Sequence, residues 1–193
     1  MNWSAALRPR RGLVLPLLVV AVPALYFVYR AAAMECAAGR PCLDATYLGD
    51  ALAALAGAYL VASGALALFD ASALAESSSS ARLALRPTDR TLAVLAVFLA
   101  AIATYLLATL VTAIPAWLDL LLAPFGLVVA LPFALVYGGT VVVTNALFSE
   151  PPLWVQSAVV AASLALTAVW LFALATGVGS LLGAWMPASV GSR

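Results

Sequence analysis

Two cysteines are the residues of this chain best suited to covalent chemistry. Cys36 and Cys42 are the only cysteines among 193 residues, and the segment between them holds Gly39 and Pro41. Gly and Pro favour a turn, which would bring the two Cα atoms within the separation that a disulfide requires. We therefore expect a structural disulfide that pins the flanking segments together. A redox pair and two unpaired thiols are the alternatives, although redox relays commonly use closer cysteines and a second pair.

A second group of polar residues has the chemistry to bind a small solute. Hydroxyl and amide side chains recur at helical spacing in the last third of the chain, and a shared seam of this kind would suit a neutral or zwitterionic ligand. Ser and Thr in apolar helices also bond to their own i−4 carbonyl or to a neighbouring helix, so plain helix packing is the alternative. The predicted seam consists of Tyr137, Thr140, Thr144, Asn145, Gln156, Ser163 and Thr167.

Small residues at every fourth position form a third pattern. Ala175, Gly179 and Gly183 lie on one helix face, where the lack of large side chains lets another helix approach closely. The pattern predicts helix packing. The neighbour is the first or second span of the same chain, a second copy or a different subunit.

Few residues in this chain could support metal binding, cofactor binding or catalysis. The chain has no His and no Lys, its carboxylates are scattered at the ends of apolar segments, and it contains neither a phosphate-binding glycine loop nor a nucleophile elbow. We therefore expect no metal, no cofactor and no catalytic activity. A net charge of +1 without a basic tail also argues against nucleic acid as a partner.

Five long apolar segments must position these residues. The composition is 66% hydrophobic and 9% charged, with a mean hydropathy of +1.12. Segments of this length cross a bilayer as helices, because hydrocarbon offers the backbone no hydrogen-bond partner. The sequence predicts an all-α, polytopic integral membrane helical bundle that forms a single transmembrane domain, 1–193. Its five spans are roughly 13–29, 51–69, 91–113, 119–148 and 153–182.

The Arg residues predict the orientation of the bundle. With the N-terminus in the cytoplasm, six Arg fall on the cytoplasmic side and three outside, in agreement with the positive-inside rule. The first span, which follows Arg8, Arg10 and Arg11, is interpreted as an uncleaved anchor. Strict alternation of five spans then puts the Cys36 loop and the C-terminus outside, and most of the polar seam in the cytoplasmic half.

These features predict a multi-pass protein of the cell membrane without catalytic activity. The favoured function is that of an accessory or scaffolding subunit in a membrane assembly, with the lipid bilayer and a membrane protein, or a second copy, as partners. The first alternative is a transporter or channel for a small neutral or zwitterionic solute. The second is a thiol-active membrane oxidoreductase that uses Cys36 and Cys42.

Overall fold

The computed structural model describes residues 10–39, 44–68, 85–112, 114–147 and 152–185. In these ranges a 3-10 turn, Arg11–Leu13, leads into five helices: α1 (Val14–Ala37), α2 (Ala45–Leu68), α3 (Asp89–Val111), α4 (Ala116–Leu147) and α5 (Leu153–Trp185). Each of the five is long and apolar enough to cross a membrane. The prediction of an all-α helical membrane bundle is confirmed, and the protein is a multi-pass membrane protein.

The first two helices extend beyond the predicted spans. α1 continues to Ala37 instead of stopping near Tyr29, because the Ala-rich segment after Arg30 has high helix propensity. α2 begins at Ala45, where the Asp44 carboxylate accepts a hydrogen bond from the Ala45 backbone N–H at 2.6 Å. At the start of α3, the Thr88 hydroxyl accepts a hydrogen bond from the Thr91 backbone N–H at 3.1 Å. Polar caps at these two positions fix where the helices begin.

α5 lies at the centre of the bundle. It packs against α1, α3 and α4, whereas α2 packs chiefly against α1. The core between α1, α3 and α5 is made of five buried apolar residues, Leu18, Leu95, Ala168, Phe172 and Ala175. α2 is therefore at the edge of the bundle, and α5 contributes the largest share of the buried core.

α1 and α3 run in the same direction. Arg11 Nη2, in the 3-10 turn before α1, and Asp89 Oδ1, at the first residue of α3, form a salt bridge of 2.7 Å. Further along, Tyr29 Oη lies 3.0 Å from Thr109 Oγ1. The end of the bundle where α1 and α3 begin is here named the basic end, defined by Arg10, Arg11, Arg86 and Arg90. The opposite end, where α1 and α3 finish, is named the cysteine end, defined by Cys36 and Leu110.

α5 runs in the opposite direction to α3. Gly179, near the end of α5, lies against Thr91 in the first turn of α3, and Gly183 lies against Arg90. Ala175 and Phe172 share the core cluster with Leu95, further along α3. α5 therefore ends at the basic end, beside the start of α1. Strict alternation of five spans predicts that the fifth span finishes on the side opposite to the start of the first, and for the described residues this is wrong, because α5 is antiparallel to α3 and ends beside the start of α1.

Candidate functional site

The hydroxyls of the predicted polar seam, which lie on α4 and α5, bond to carbonyls of their own helices. Thr140 Oγ1 donates to the Val136 carbonyl at 2.6 Å, and Thr144 Oγ1 donates to the Thr140 carbonyl at 2.8 Å. In α5, Ser163 Oγ donates to the Val159 carbonyl at 2.8 Å, and Thr167 Oγ1 to the Ser163 carbonyl at 2.9 Å. Each of these hydroxyls thus donates its proton to the carbonyl four residues earlier, which is the hydrogen bond expected of Ser and Thr in a packed apolar helix.

The described seam residues differ in their exposure. Tyr137 is part-exposed and stacks on Phe133 with ring centroids 5.2 Å apart, whereas Ser163 and Thr167 are buried. Gln156 is exposed near the start of α5, and the side chain of Asn145 is outside the described residues. Because α5 begins at the cysteine end, Gln156 and Ser163 lie toward that end, opposite to the half that strict alternation predicts. A ligand-binding role for the seam stays a prediction.

The small residues of α5 form its contact with α3. Ala175 is fully buried, and a Cβ atom added to Gly179 would lie 3.2 Å from the Thr91 backbone nitrogen. A Cβ atom added to Gly183 would lie 2.6 Å from the Arg90 guanidinium. The Arg90 side chain therefore occupies the space that Gly183 leaves open on α5. The stripe thus packs within the same chain, against α3 at Gly179 and Gly183 and in the core shared with α1 and α3 at Ala175.

α2 carries a matching stripe that the sequence reading missed. Gly49, Ala53 and Gly57 repeat at the same four-residue spacing and are all exposed, and a Cβ atom on either glycine would meet nothing within 4 Å. The opposite face of α2, with Ala58 and Ala62, is buried against α1. The i, i+4, i+8 signal that singled out α5 is present here too. We name Gly49, Ala53 and Gly57 the α2 stripe.

Polar groups also meet at the cysteine end. Tyr105 Oη donates to Asp119 Oδ1 at 2.9 Å, which ties α3 to the start of α4, and the Tyr29 and Thr109 hydroxyls tie α1 to α3. The predicted start of the fourth span at Asp119 gave no indication that this carboxylate pairs with Tyr105. Among the described residues, no three His, Cys, Asp or Glu side chains form a group that could hold a metal ion.

Of the two cysteines, Cys36 belongs to the described residues and Cys42 lies outside them. Cys36 is in the last turn of α1, with its Sγ atom 3.6 Å from the Leu110 carbonyl oxygen near the end of α3. No cysteine in the described part of the chain is a free thiol. The disulfide between Cys36 and Cys42 stays a prediction, and it would close the chain next to the end of α3.

The fold defines a multi-pass helical membrane protein. No protein-family model, curated protein or solved structure matches this chain.

Proposed function

We propose that this protein is an accessory subunit of a membrane assembly and that the α2 stripe is the surface against which a partner helix packs. The observation that carries the proposal is the exposure of Gly49, Ala53 and Gly57 on a helix whose opposite face is already used by α1. In lipid, association of helices depends on close backbone approach, which small residues permit.

The same chain supplies a precedent for this use of small residues. On α5 a stripe of identical spacing is covered by α3, with backbone atoms within reach of the missing Cβ of Gly179. On α2 the corresponding space is open at both Gly49 and Gly57. The proposed partner contributes a transmembrane helix that lies across this open space as α3 lies across α5.

The transporter alternative is less well supported. Thr140, Thr144, Ser163 and Thr167 donate to carbonyls of their own helices, so these four hydroxyl donors are already used. A path for a neutral solute would require such donors to face a cavity. Uptake of labelled neutral or zwitterionic solutes into vesicles that contain the pure protein tests this alternative directly.

The proposal also includes the orientation of the protein in the membrane. Of the five Arg in the described residues, Arg10, Arg11, Arg86 and Arg90 lie at the basic end, and Arg30 lies nearer the cysteine end. The positive-inside rule therefore favours the basic end in the cytoplasm and the cysteine end outside the cell membrane. An outer cysteine end also suits the proposed disulfide, because disulfides persist in oxidising compartments.

The accessory proposal is tested by extracting the tagged protein from its native membrane in a mild detergent and measuring the mass of the complex. We expect a stoichiometric partner of different sequence in addition to the 19.8 kDa chain. Gly57→Leu fills the stripe and should abolish the association. Leu48→Phe enlarges an exposed residue on another face of α2 and should leave it intact. A lone monomer, or only multiples of the chain's own mass, would overturn the proposal.

A further inference from the structure

The direction of α5 constrains the path of α4. α3 and α5 are antiparallel, so the last residue of α3 and the first residue of α5 lie at the same end of the bundle, the cysteine end. α4 joins them through the short connections 112–115 and 148–152. The second connection allows Leu147 and Leu153 to be at most about 22 Å apart. α4 therefore leaves from the cysteine end and returns toward it, although its 32 residues have a contour length of about 48 Å.

The middle of α4 reaches the middle of the bundle. The Phe125 ring contacts the Phe98 ring of α3 at a centroid distance of 5.8 Å, and Trp170 Nε1 of α5 donates to the Val128 carbonyl at 2.9 Å. Phe98 and Trp170 are both close to the midpoints of their helices. These two contacts place residues 125–128 at mid-depth, between two ends of α4 that are tied to the cysteine end.

Proline residues explain both the bend of α4 and its hydrogen bond with Trp170. α4 contains Pro124 and Pro132, and a proline inside a helix removes one backbone donor and kinks the axis. Pro132 has no N–H to offer the carbonyl four residues earlier, which is that of Val128. The Trp170 indole N–H donates to this same carbonyl. α5 thus supplies the hydrogen bond that Pro132 removes from α4.

We propose that α4 is a re-entrant helix that enters and leaves the membrane at the cysteine end, and that its exposed side chains bind the acyl chains of that one leaflet. Lipid is the occupant that the residues fit. No charged residue occurs between Asp119 and Glu150, and no described side chain of α4 is fully buried. The exposed apolar residues continue through the middle of the helix, at Leu127, Leu131 and Leu135.

Tryptophans flank the segment in agreement with this path. Trp117 at the start of α4 and Trp154 at the start of α5 are both strongly exposed. Trp side chains favour the interface between headgroups and hydrocarbon. In the re-entrant path both residues mark the same interface, and α1, α2, α3 and α5 are the four helices that cross the membrane.

Accessibility of single cysteines to a membrane-impermeant maleimide on intact cells tests the path. Ser149→Cys reports the connection between α4 and α5, Ala45→Cys the cysteine end, and Ser78→Cys the connection between α2 and α3; the wild-type chain sets the background from Cys36 and Cys42. We expect Ser149→Cys to react like Ala45→Cys and opposite to Ser78→Cys. Reaction on the side of Ser78→Cys would overturn the proposal, because α4 would then cross the membrane.

The lipid contact is tested separately on the pure protein in phosphatidylcholine vesicles. A bimane fluorophore on Leu127→Cys should lose at least half of its emission when the acyl chains carry bromine near their middle. The same fluorophore on Ser78→Cys, outside the apolar segments, should change little. Unquenched emission at Leu127→Cys would mean that protein, such as a second copy, covers α4, and would overturn the assignment of lipid.

Discussion

α5 and α2 carry small residues at the same spacing, yet only one of the two stripes is covered. On α5, Ala175 is fully buried and Gly179 lies against the backbone of α3, whereas on α2 Gly49 and Gly57 face open space. The difference lies in the position of each helix, since α5 is central and α2 is at the edge. A small-residue stripe thus permits close approach without determining what approaches.

The largest expected effect is a difference in unfolding free energy between a substitution in the α5 stripe and one in the α2 stripe. Gly179→Leu puts a side chain where the Thr91 backbone lies 3.2 Å from the first added carbon, and backbone cannot move aside cheaply. We expect the free energy of unfolding in mixed micelles to fall by about 3 kcal/mol. Gly57→Leu, at an open position, should change it by less than about 0.5 kcal/mol. Equal losses in the two variants would show that the α2 stripe is also covered within the monomer.

The contact of α5 with α4 should contribute less. Trp170→Phe keeps an aromatic ring but removes the indole N–H, so the Val128 carbonyl loses its donor, at a cost of about 1 kcal/mol. Pro132→Ala restores a backbone N–H four residues after Val128. In the Pro132→Ala background we expect Trp170→Phe to cost much less, measured as a double-mutant cycle of unfolding free energies. Additive effects would contradict the link between the proline and the tryptophan.

Within the covered stripe, Gly183 should be more tolerant than Gly179. A Cβ atom at Gly183 would collide only with the end of the flexible Arg90 side chain, 2.6 Å away, which can rotate. We expect Gly183→Ala to cost less than about 1 kcal/mol, and less than Gly179→Ala in the same denaturation measurement. The reverse order would mean that the Arg90 position, not the backbone contact, holds α3 and α5 together.

The smallest effect concerns the buried face of α2. Ser63 is buried there, and its hydroxyl has no hydrogen-bond partner among the described residues. Removal of a buried, unpaired hydroxyl is neutral or stabilising, because the cost of its desolvation disappears. Ser63→Ala should therefore leave the unfolding free energy unchanged or raise it by up to about 1 kcal/mol. A clear loss would reveal a partner for Ser63.

Much of the fold could be predicted from composition and from the polar and proline residues that end each apolar run. Long apolar runs must be helical in hydrocarbon, and polar or proline residues mark where they end, so each predicted span overlaps one observed helix. Alanine-rich helix continues beyond Tyr29 to Ala37, whereas α2 begins before Ala51 because the Asp44 carboxylate caps the helix at Ala45. The spacing of Ala175, Gly179 and Gly183 also identified a packing face, but not α3 as its neighbour.

Other features depend on contacts between remote segments. Tyr105 lies within the third predicted span and Asp119 begins the fourth, and only the bend between α3 and α4 brings their side-chain oxygen atoms to 2.9 Å. The donor for the Val128 carbonyl is a tryptophan more than forty residues away in the sequence. No periodicity along one helix encodes such a pair, because the two residues share a location only after the helices have packed.

The sequence by itself determined that this chain forms apolar helices in a membrane, because burial of backbone in hydrocarbon requires the hydrogen bonds of helices. It also determined where small, polar and kinking residues fall along each helix. Only the tertiary structure decided that α5 runs against α3, that its stripe is covered while that of α2 is open, and that α4 returns to the end it came from. Helix direction is set by side-chain packing between segments, and a hydrophobic run has the same composition in either direction.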